Sequence, residues 1–366
     1  MRRHASFAPD CEPVTPDTAN RSVALARPAP GRFVALDGLR GIAALLILMG
    51  HYQAVLGQTG AFRFSYLSVD FFFLLSGFVL VPLFEGARQR GAAATMAARV
   101  LRFWPLMALG VALGAGVHLL RWPVETVAIH AALGLLIVPL GWGGQSWFAL
   151  NMPQWSLLIE LLANALHVLL LRRLQTPALI GISAASWVVL AFTGRILGDD
   201  AQLSAVIAVA MLRALCAYPL GVALARERHR LPQLRAVAWW LPFALLVAVM
   251  TGPALCGVSS RLAEQLICLA FPAIVLLAAA AVVPAGREAG LARLGRMSFP
   301  LYATHFPLLE GAGLFARDLP PVERTIGMLA ALIFALLLAD RLGRGALARG
   351  LAFPQSWTIA GAAAAR

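Results

Sequence analysis

The chain has 366 residues, of which 60% are hydrophobic and 13% are charged, and its mean hydropathy is +0.78. Soluble domains average about 45–50% apolar and about 25% charged residues, so the composition excludes an ordinary soluble domain and indicates a polytopic membrane protein. The net charge is +13, and all 30 basic residues are arginine. Because these arginines lie in short loops between apolar segments, they favour membrane topology over nucleic-acid binding.

Three regions follow from polarity along the chain. Residues 1–32 are polar, contain several prolines and lack the apolar core of a signal peptide, so we predict a disordered cytosolic leader. Residues 33–344 form the transmembrane domain, and residues 345–366 a short cytosolic tail. Apolar segments of spanning length begin near Phe33, Tyr66, Val100, Trp155, Pro177, Leu203, Ala236, Gln265, Phe299 and Ile326.

In the segment from Val124 to Asn151, the apolar part ends at about Leu140, which is short for an ordinary span, and runs into a stretch rich in Gly and Trp. The later arginine clusters share the side of the N-terminus only if this segment adds an even number of crossings. We therefore predict an all-α bundle of about ten spans plus one short re-entrant or interfacial segment, with both termini in the cytosol.

The first span carries three aligned ionisable residues. Arg40 and His51 lie eleven positions apart, which is almost three helical turns, so they share one face about 16 Å apart along the axis. Asp37 lies near the same stripe. Ionisable groups inside a membrane are costly and are by default functional candidates. The spacing predicts a cation near one membrane surface and an imidazole near the midplane.

The next two spans place charged residues at their ends. Asp70 begins the second span near the outer surface, where it either lines an acceptor site or caps the helix. Arg99 and Arg102 open the third span three residues apart and share one side. Together with Arg40 they predict a three-arginine cluster; the alternative is ordinary anchoring of arginines at the membrane surface.

The span that begins near Trp155 carries a polar stripe. Ser156, Glu160 and Asn164 follow at intervals of four, and His167 continues the same face. A carboxyl group in a low-dielectric interior is retained mainly where its chemistry is used, which favours a functional Glu160 over a structural ion pair.

The ninth span also carries a polar face. Ser298, Tyr302 and His305 lie on one side of it, and neighbouring prolines predict a distorted helix start. Direct chemistry and helix-packing hydrogen bonds are both open interpretations of these three residues.

Five of these motifs, in this order, resemble the integral-membrane acyltransferase 3 family, which includes bacterial O-acetyltransferases of surface polysaccharides. The resemblance extends from about Phe33 to Arg344. The motifs are Leu36-Asp-Gly-Leu-Arg40-Gly with His51, Phe71-Phe-Phe-Leu-Leu-Ser-Gly-Phe78, Arg99-Val-Leu-Arg102-Phe-Trp-Pro105, Trp155-Ser-Leu-Leu-Ile-Glu160 and the late run from Leu294 to Pro307. The chain departs from the family where Phe299 replaces a usual Tyr and Thr304 a common Trp, so the acceptor does not transfer with the resemblance.

The resemblance implies acyl transfer, acetyl by default, from acyl-CoA to a hydroxyl of a cell-surface glycan or other envelope or secreted acceptor. It also implies a multi-pass protein of the bacterial inner membrane, with acyl-CoA as co-substrate and no bound cofactor or metal. The arginines suit the phosphates of CoA. His51 suits a general base, with an acyl-histidine intermediate as the alternative. Glu160 suits a group that orients or charge-stabilises the imidazole or shuttles its proton, and Asp37 suits a partner for Arg40.

Two other functional classes stay open at this point. A secondary transporter would use the charged residues along a permeation path, although no pair of similar halves with matched broken helices is recognisable. A scaffold protein would use the buried charges only to fix helix packing. The acceptor, the acyl chain length, the side on which the acceptor binds and the oligomeric state do not follow from the sequence.

Overall fold

The computed structural model describes residues 33–86, 91–140, 147–195, 202–228 and 238–345, and these residues form eleven α-helices and no strand. The predicted leader, nearly all of the tail and parts of the arginine-rich loops lie outside the described residues. The helices are α1 (Val34–Val55), α2 (Ser68–Gly86), α3 (Ala92–His118), α4 (Val124–Leu135), α5 (Gln154–Leu169), α6 (Thr176–Thr193), α7 (Leu203–Glu227), α8 (Leu241–Leu255), α9 (Ser260–Ala280), α10 (Glu288–Ala316) and α11 (Pro321–Arg344).

The prediction of a helical membrane bundle is confirmed. Eight of the described helices are long and apolar enough to cross a membrane, namely α1, α2 with its preceding turn, α3, α5, α6, α7, α9 and α11. Of the ten predicted spans, the remaining two are α8, an apolar helix of 15 residues, and α10, a helix of 29 residues that packs along α1.

Two helices begin more than five residues before the start that the sequence predicts. α3 begins at Ala92 rather than near Val100, and α10 at Glu288 rather than near Phe299. In both cases the added turns carry arginines. An arginine interrupts the apolar pattern from which the start was predicted, but it does not interrupt the helix, because arginine is a good helix former. α10 also continues through Pro300 and Pro307, so these prolines do not mark its start.

Two sets of helices run in opposite directions. In the first set α1 and α10 are parallel, because Gly41 lies against Leu294 and, further along both helices, His51 contacts His305. α3 runs in the same direction beside α10, with Phe103 against Phe299 and Gly110 against Ala303. In the second set α2 is parallel to α7, because Asp70 contacts Arg213 and Glu85 contacts Arg226, and it is parallel to α5, because Ser76 contacts Glu160 and Glu85 lies near His167. We call the side where α1 begins the N-terminal face and the other side the opposite face.

The segment after α3 enters the bundle and returns, as predicted for a re-entrant element. α4 begins at Val124, just past the end of α3, and its last residues lie beside the middle of α3: the Trp104 indole donates to the Leu135 carbonyl at 3.1 Å. Gln154, at the start of α5, donates to the Gly134 carbonyl at 2.5 Å. Because this segment enters and returns on the same side, α3 before it and α5 after it run in opposite directions, as two consecutive spans would.

Glycines allow the closest helix contacts in the second set. A Cβ on Gly77 of α2 would meet the Tyr218 carbonyl of α7, and a Cβ on Gly221 would meet the Leu74 carbonyl. Small residues at such positions let helix backbones approach in a membrane, where van der Waals packing drives association. By contrast, Gly181 of α6 has open space around it.

We expect Gly77→Ala to lower the free energy of unfolding by about 1–3 kcal/mol, because the added methyl group forces α2 away from α7. Gly181→Ala is the matched control and should be neutral or slightly stabilising, since alanine is the better helix former and nothing obstructs it. The thermal unfolding temperature of both variants in detergent checks the prediction. Equal temperatures for the two variants would contradict the close α2–α7 contact.

Candidate active site

Two histidines from distant parts of the chain meet between α1 and α10. Nδ1 of His51 lies 2.7 Å from Nε2 of His305, and the two rings are stacked with centroids 5.0 Å apart and an interplanar angle of 15°. His305 is buried, whereas His51 is only partly buried and packs edge-on against Phe306. One imidazole is thus enclosed while the other is accessible.

Hydrogen bonds to the backbone determine the tautomer of each ring when both rings are neutral. Nδ1 of His305 lies 2.9 Å from the Leu301 carbonyl and 3.0 Å from the Tyr302 carbonyl. A carbonyl oxygen can only accept, so Nδ1 of His305 carries the proton and Nε2 accepts. Nδ1 of His51 must then donate to that Nε2, which leaves a lone pair on Nε2 of His51. This is the arrangement of an oriented general base.

Three arginines gather toward the N-terminal face, as the sequence predicts. Arg99 and Arg102 lie close enough to Arg40 for electrostatic interaction, and Asp37 and Glu160 lie within the same range of Arg102. Arg40 and Arg102 are partly exposed, whereas Arg99 is buried. The five side chains together have three positive and two negative charges, so the cluster has a net positive charge and suits an anion.

Glu160 contacts Arg99 and not His51. Its Oε1 accepts from Nη2 of Arg99 at 2.8 Å and from the Ser76 hydroxyl at 2.9 Å. Glu160 therefore does not contact the imidazole that we predict it to orient, to charge-stabilise or to serve as a proton shuttle; the side chain that contacts His51 is His305. Ser76, in the Phe71–Phe78 motif, is a partner that periodicity along α5 alone could not identify.

The position of His51 along α1 also differs from the prediction. His51 lies four residues before the last residue of α1, so it is closer to the opposite face than to the middle of the helix. Its distance from Arg40 along the axis is still about 16 Å. A ligand bound at the arginine cluster would therefore need a long, narrow extension to reach the imidazole.

Asp70 forms a buried ion triad. Its Oδ1 accepts from Nη1 of Arg195 at 2.9 Å, and its Oδ2 accepts from Nη2 of Arg213 at 2.6 Å. Both carboxylate oxygens thus bind arginines rather than the backbone of α2, and the capping interpretation of Asp70 is wrong. Sequence reasoning missed both arginines; the signal was Arg213 itself, an isolated arginine inside an apolar span.

The remaining predicted polar residues make hydrogen bonds between helices or within their own helix. The Ser156 hydroxyl lies 2.6 Å from the Tyr302 hydroxyl, and Tyr302 donates to the Pro153 carbonyl at 3.0 Å, which joins α5 to the turn before His305. Ser298 donates to the Gly295 carbonyl of its own helix at 2.8 Å. Asn164 accepts from the Tyr218 hydroxyl at 3.1 Å, and the same hydroxyl lies 3.0 Å from Nδ1 of His167.

Comparisons with known proteins identify the family of the chain. The acyltransferase domain family matches residues 33–340. A curated relative, protein 2 in the picA locus of Rhizobium radiobacter, is 36% identical over 160 residues, which cover 38% of this chain and 82% of that protein. No solved structure matches the chain.

We expect Glu160→Leu to lower the free energy of unfolding by about 3–5 kcal/mol, because it leaves the buried Arg99 without its carboxylate. The double variant Glu160→Leu/Arg99→Met should recover part of this loss, since it removes both charges. Thermal unfolding in detergent measures the two effects. A double variant no more stable than the single one would show that Arg99 has another compensating partner.

Proposed function

Since the chain belongs to the integral-membrane acyltransferase 3 family, we propose that it transfers an acyl group, acetyl by default, from acyl-CoA to a hydroxyl. The proposed acceptor is a cell-surface glycan or another envelope or secreted molecule. The observation that carries the proposal is the imidazole pair, in which His305 leaves Nε2 of His51 unprotonated, on the same helix as one arginine of a cationic cluster.

The donor binds at the N-terminal face, which is cytosolic in this proposal, as are both termini of a protein in the bacterial inner membrane. CoA is a polyanion, and guanidinium groups bind phosphate oxygens bidentately. Arg40 and Arg102 supply the accessible guanidinium groups, while Arg99 is held in place by Glu160. The pantetheine arm then extends along α1 and carries the thioester toward His51.

His51 acts as the general base in this mechanism. Nε2 takes the proton from the acceptor hydroxyl as its oxygen attacks the thioester carbon. A carbon–oxygen bond forms, the carbon–sulfur bond breaks, and the protonated imidazole returns the proton to the departing CoA thiolate. His51 is thereby restored to its neutral form, and no acyl-enzyme intermediate is needed.

His305 and Asp37 are positioning residues in the proposal. His305 accepts from Nδ1 of His51, which fixes the tautomer, and it stabilises the imidazolium that forms when Nε2 takes a proton. Asp37, one turn before Arg40 on α1, limits the freedom of the arginine cluster through its negative charge. In the proposal neither His305 nor Asp37 touches the reacting atoms; each holds another side chain in place.

The decisive experiment follows radiolabel from acetyl-CoA into an envelope extract, using purified protein in nanodiscs. We expect the wild type to transfer label and His51→Ala to reduce turnover by about 10²–10⁴-fold, which is the usual contribution of a general base. Binding of CoA, measured separately, should be unchanged in this variant. Near-normal turnover by His51→Ala would refute the base assignment, and absence of transfer from every acyl-CoA tested would refute the function.

Substitutions of His305 test the tautomer argument. His305→Gln keeps an oxygen that can accept from Nδ1 of His51, so we expect it to retain more turnover than His305→Leu, which has no acceptor. Both variants should leave the KM for acetyl-CoA within about twofold of wild type. Equal turnover in the two variants would contradict the role of His305 as acceptor.

Removal of one arginine should affect the donor rather than the chemistry. We expect Arg102→Ala to raise the KM for acetyl-CoA by about tenfold, the equivalent of about 1.4 kcal/mol, with a smaller change in kcat. Arg173→Ala is the matched control, because Arg173 is an exposed arginine at the same face outside the cluster. A KM that responds equally to both substitutions would indicate general surface charge instead of a phosphate site.

A further inference from the structure

A separate cavity lies between α6, α7 and α9, beside the ion triad of Asp70. Its volume is about 220 Å³, and its walls are almost entirely apolar, with Leu74, Leu220 and Phe271 among them. On α6 and α9, Ile180 and Leu269 line it and are 48% and 58% exposed on the outside of the bundle. Since both helices are membrane spans, the cavity borders the lipid.

The polar groups that line this cavity include donors without acceptors. Nη1 of Arg195 binds Asp70, but its Nε and Nη2 have no hydrogen-bond partner among the described residues, although the side chain is 0% exposed. Nε1 of Trp187, another lining residue, is likewise buried without a partner in the described part of the chain. The nearby thiol of Cys216 is only a weak acceptor.

The acceptors around the cavity leave one edge of Arg195 unmatched. Asp70 is the carboxylate that both Arg195 and Arg213 contact, so its two oxygens are shared between two guanidinium groups. Glu264, on the neighbouring α9, accepts from the Tyr66 hydroxyl at 2.5 Å and does not line the cavity. Buried donors without acceptors are costly, so a ligand that offers an anionic acceptor to Nε and Nη2 of Arg195 would be stabilised here.

The shape of the vacant edge restricts the head group. Nε and Nη2 form one side of the planar guanidinium group, and this side matches the two oxygens of a carboxylate. The apolar wall continues from Trp187 to Ile180, about 10 Å along α6. A cavity of this volume accommodates part of one alkyl chain rather than both chains of a phospholipid.

We propose that this cavity binds a long-chain fatty carboxylate from the membrane, with its carboxylate on Arg195 and Trp187 and its alkyl chain against Leu74, Leu220 and Phe271. The head lies toward the opposite face, because Arg195 follows the end of α6, and the chain points toward the middle of the bundle. The site is distinct from the His51–His305 pair, and the proposal does not depend on acyl transfer.

Photocrosslinking in phosphatidylcholine nanodiscs tests the site with the complete protein. The probe is palmitate with a diazirine in its alkyl chain, and the crosslinked peptides are mapped by mass spectrometry. We expect crosslinks in the parts of α7 and α9 that line the cavity. Excess oleate should remove them, whereas methyl oleate, which lacks the charge, should not.

Three substitutions make the result specific. Arg195→Gln should reduce crosslinking by about ten- to hundredfold, the loss expected for a charged hydrogen bond, while Asp70 keeps its bonds to Arg213. Ala184→Phe should block the cavity from its exposed edge without altering a charge. Val188→Phe is the matched control, because Val188 is 47% exposed one turn further along α6 and does not line the cavity.

Several outcomes would overturn the proposal. These are crosslinks that persist in both Arg195→Gln and Ala184→Phe, equal competition by methyl oleate and oleate, or loss of crosslinking in Val188→Phe as well. Displacement of the probe by phosphatidylglycerol but not by oleate would also overturn it, since the head would then be a lipid phosphate. The thermal unfolding temperature of each variant separates loss of binding from loss of folding.

Discussion

The ion pair between Arg99 and Glu160 is the interaction on which the arrangement of the first half of the bundle depends. It joins α3 to α5, and the Ser76 hydroxyl adds α2 to the same carboxylate. A buried guanidinium group without a carboxylate is strongly destabilising, so packing of the three helices that separates Arg99 from Glu160 is disfavoured. Arg40 and Arg102 lie within electrostatic range of this pair.

A second constraint comes from the parallel pairing of α1 and α10. Gly41 packs against Leu294 and Gly313 against Val55, so the two helices approach closely along most of α1. This close approach brings the rings of His51 and His305 within hydrogen-bonding distance. Because His305 is anchored by two carbonyls of its own helix, the geometry of the pair is a property of backbone packing as much as of the side chains.

Helical periodicity was sufficient to predict which residues share a face but not which faces meet. The stripe of Arg40 and His51, and that of Ser156, Glu160 and Asn164, follow from spacing along single helices, and the ten apolar segments follow from hydropathy. The partners Ser76, Arg195 and Arg213 depend on how helices pack sideways, which no local pattern encodes. The contact of His51 has the same cause, since Glu160 and His305 both lie on predicted polar faces but only His305 meets the imidazole.

The imidazole pair links residues separated by 254 positions. Since a chain emerges from the ribosome in order, α1 is complete long before α10 has been made, and until then His51 has no imidazole partner. Loop-closure entropy delays such distant contacts further, so local pairs such as α6 with α7 form before it. The proposed general base therefore stays incomplete until α10 has been made, and a chain that stops before His305 would lack the acceptor that fixes the tautomer of His51.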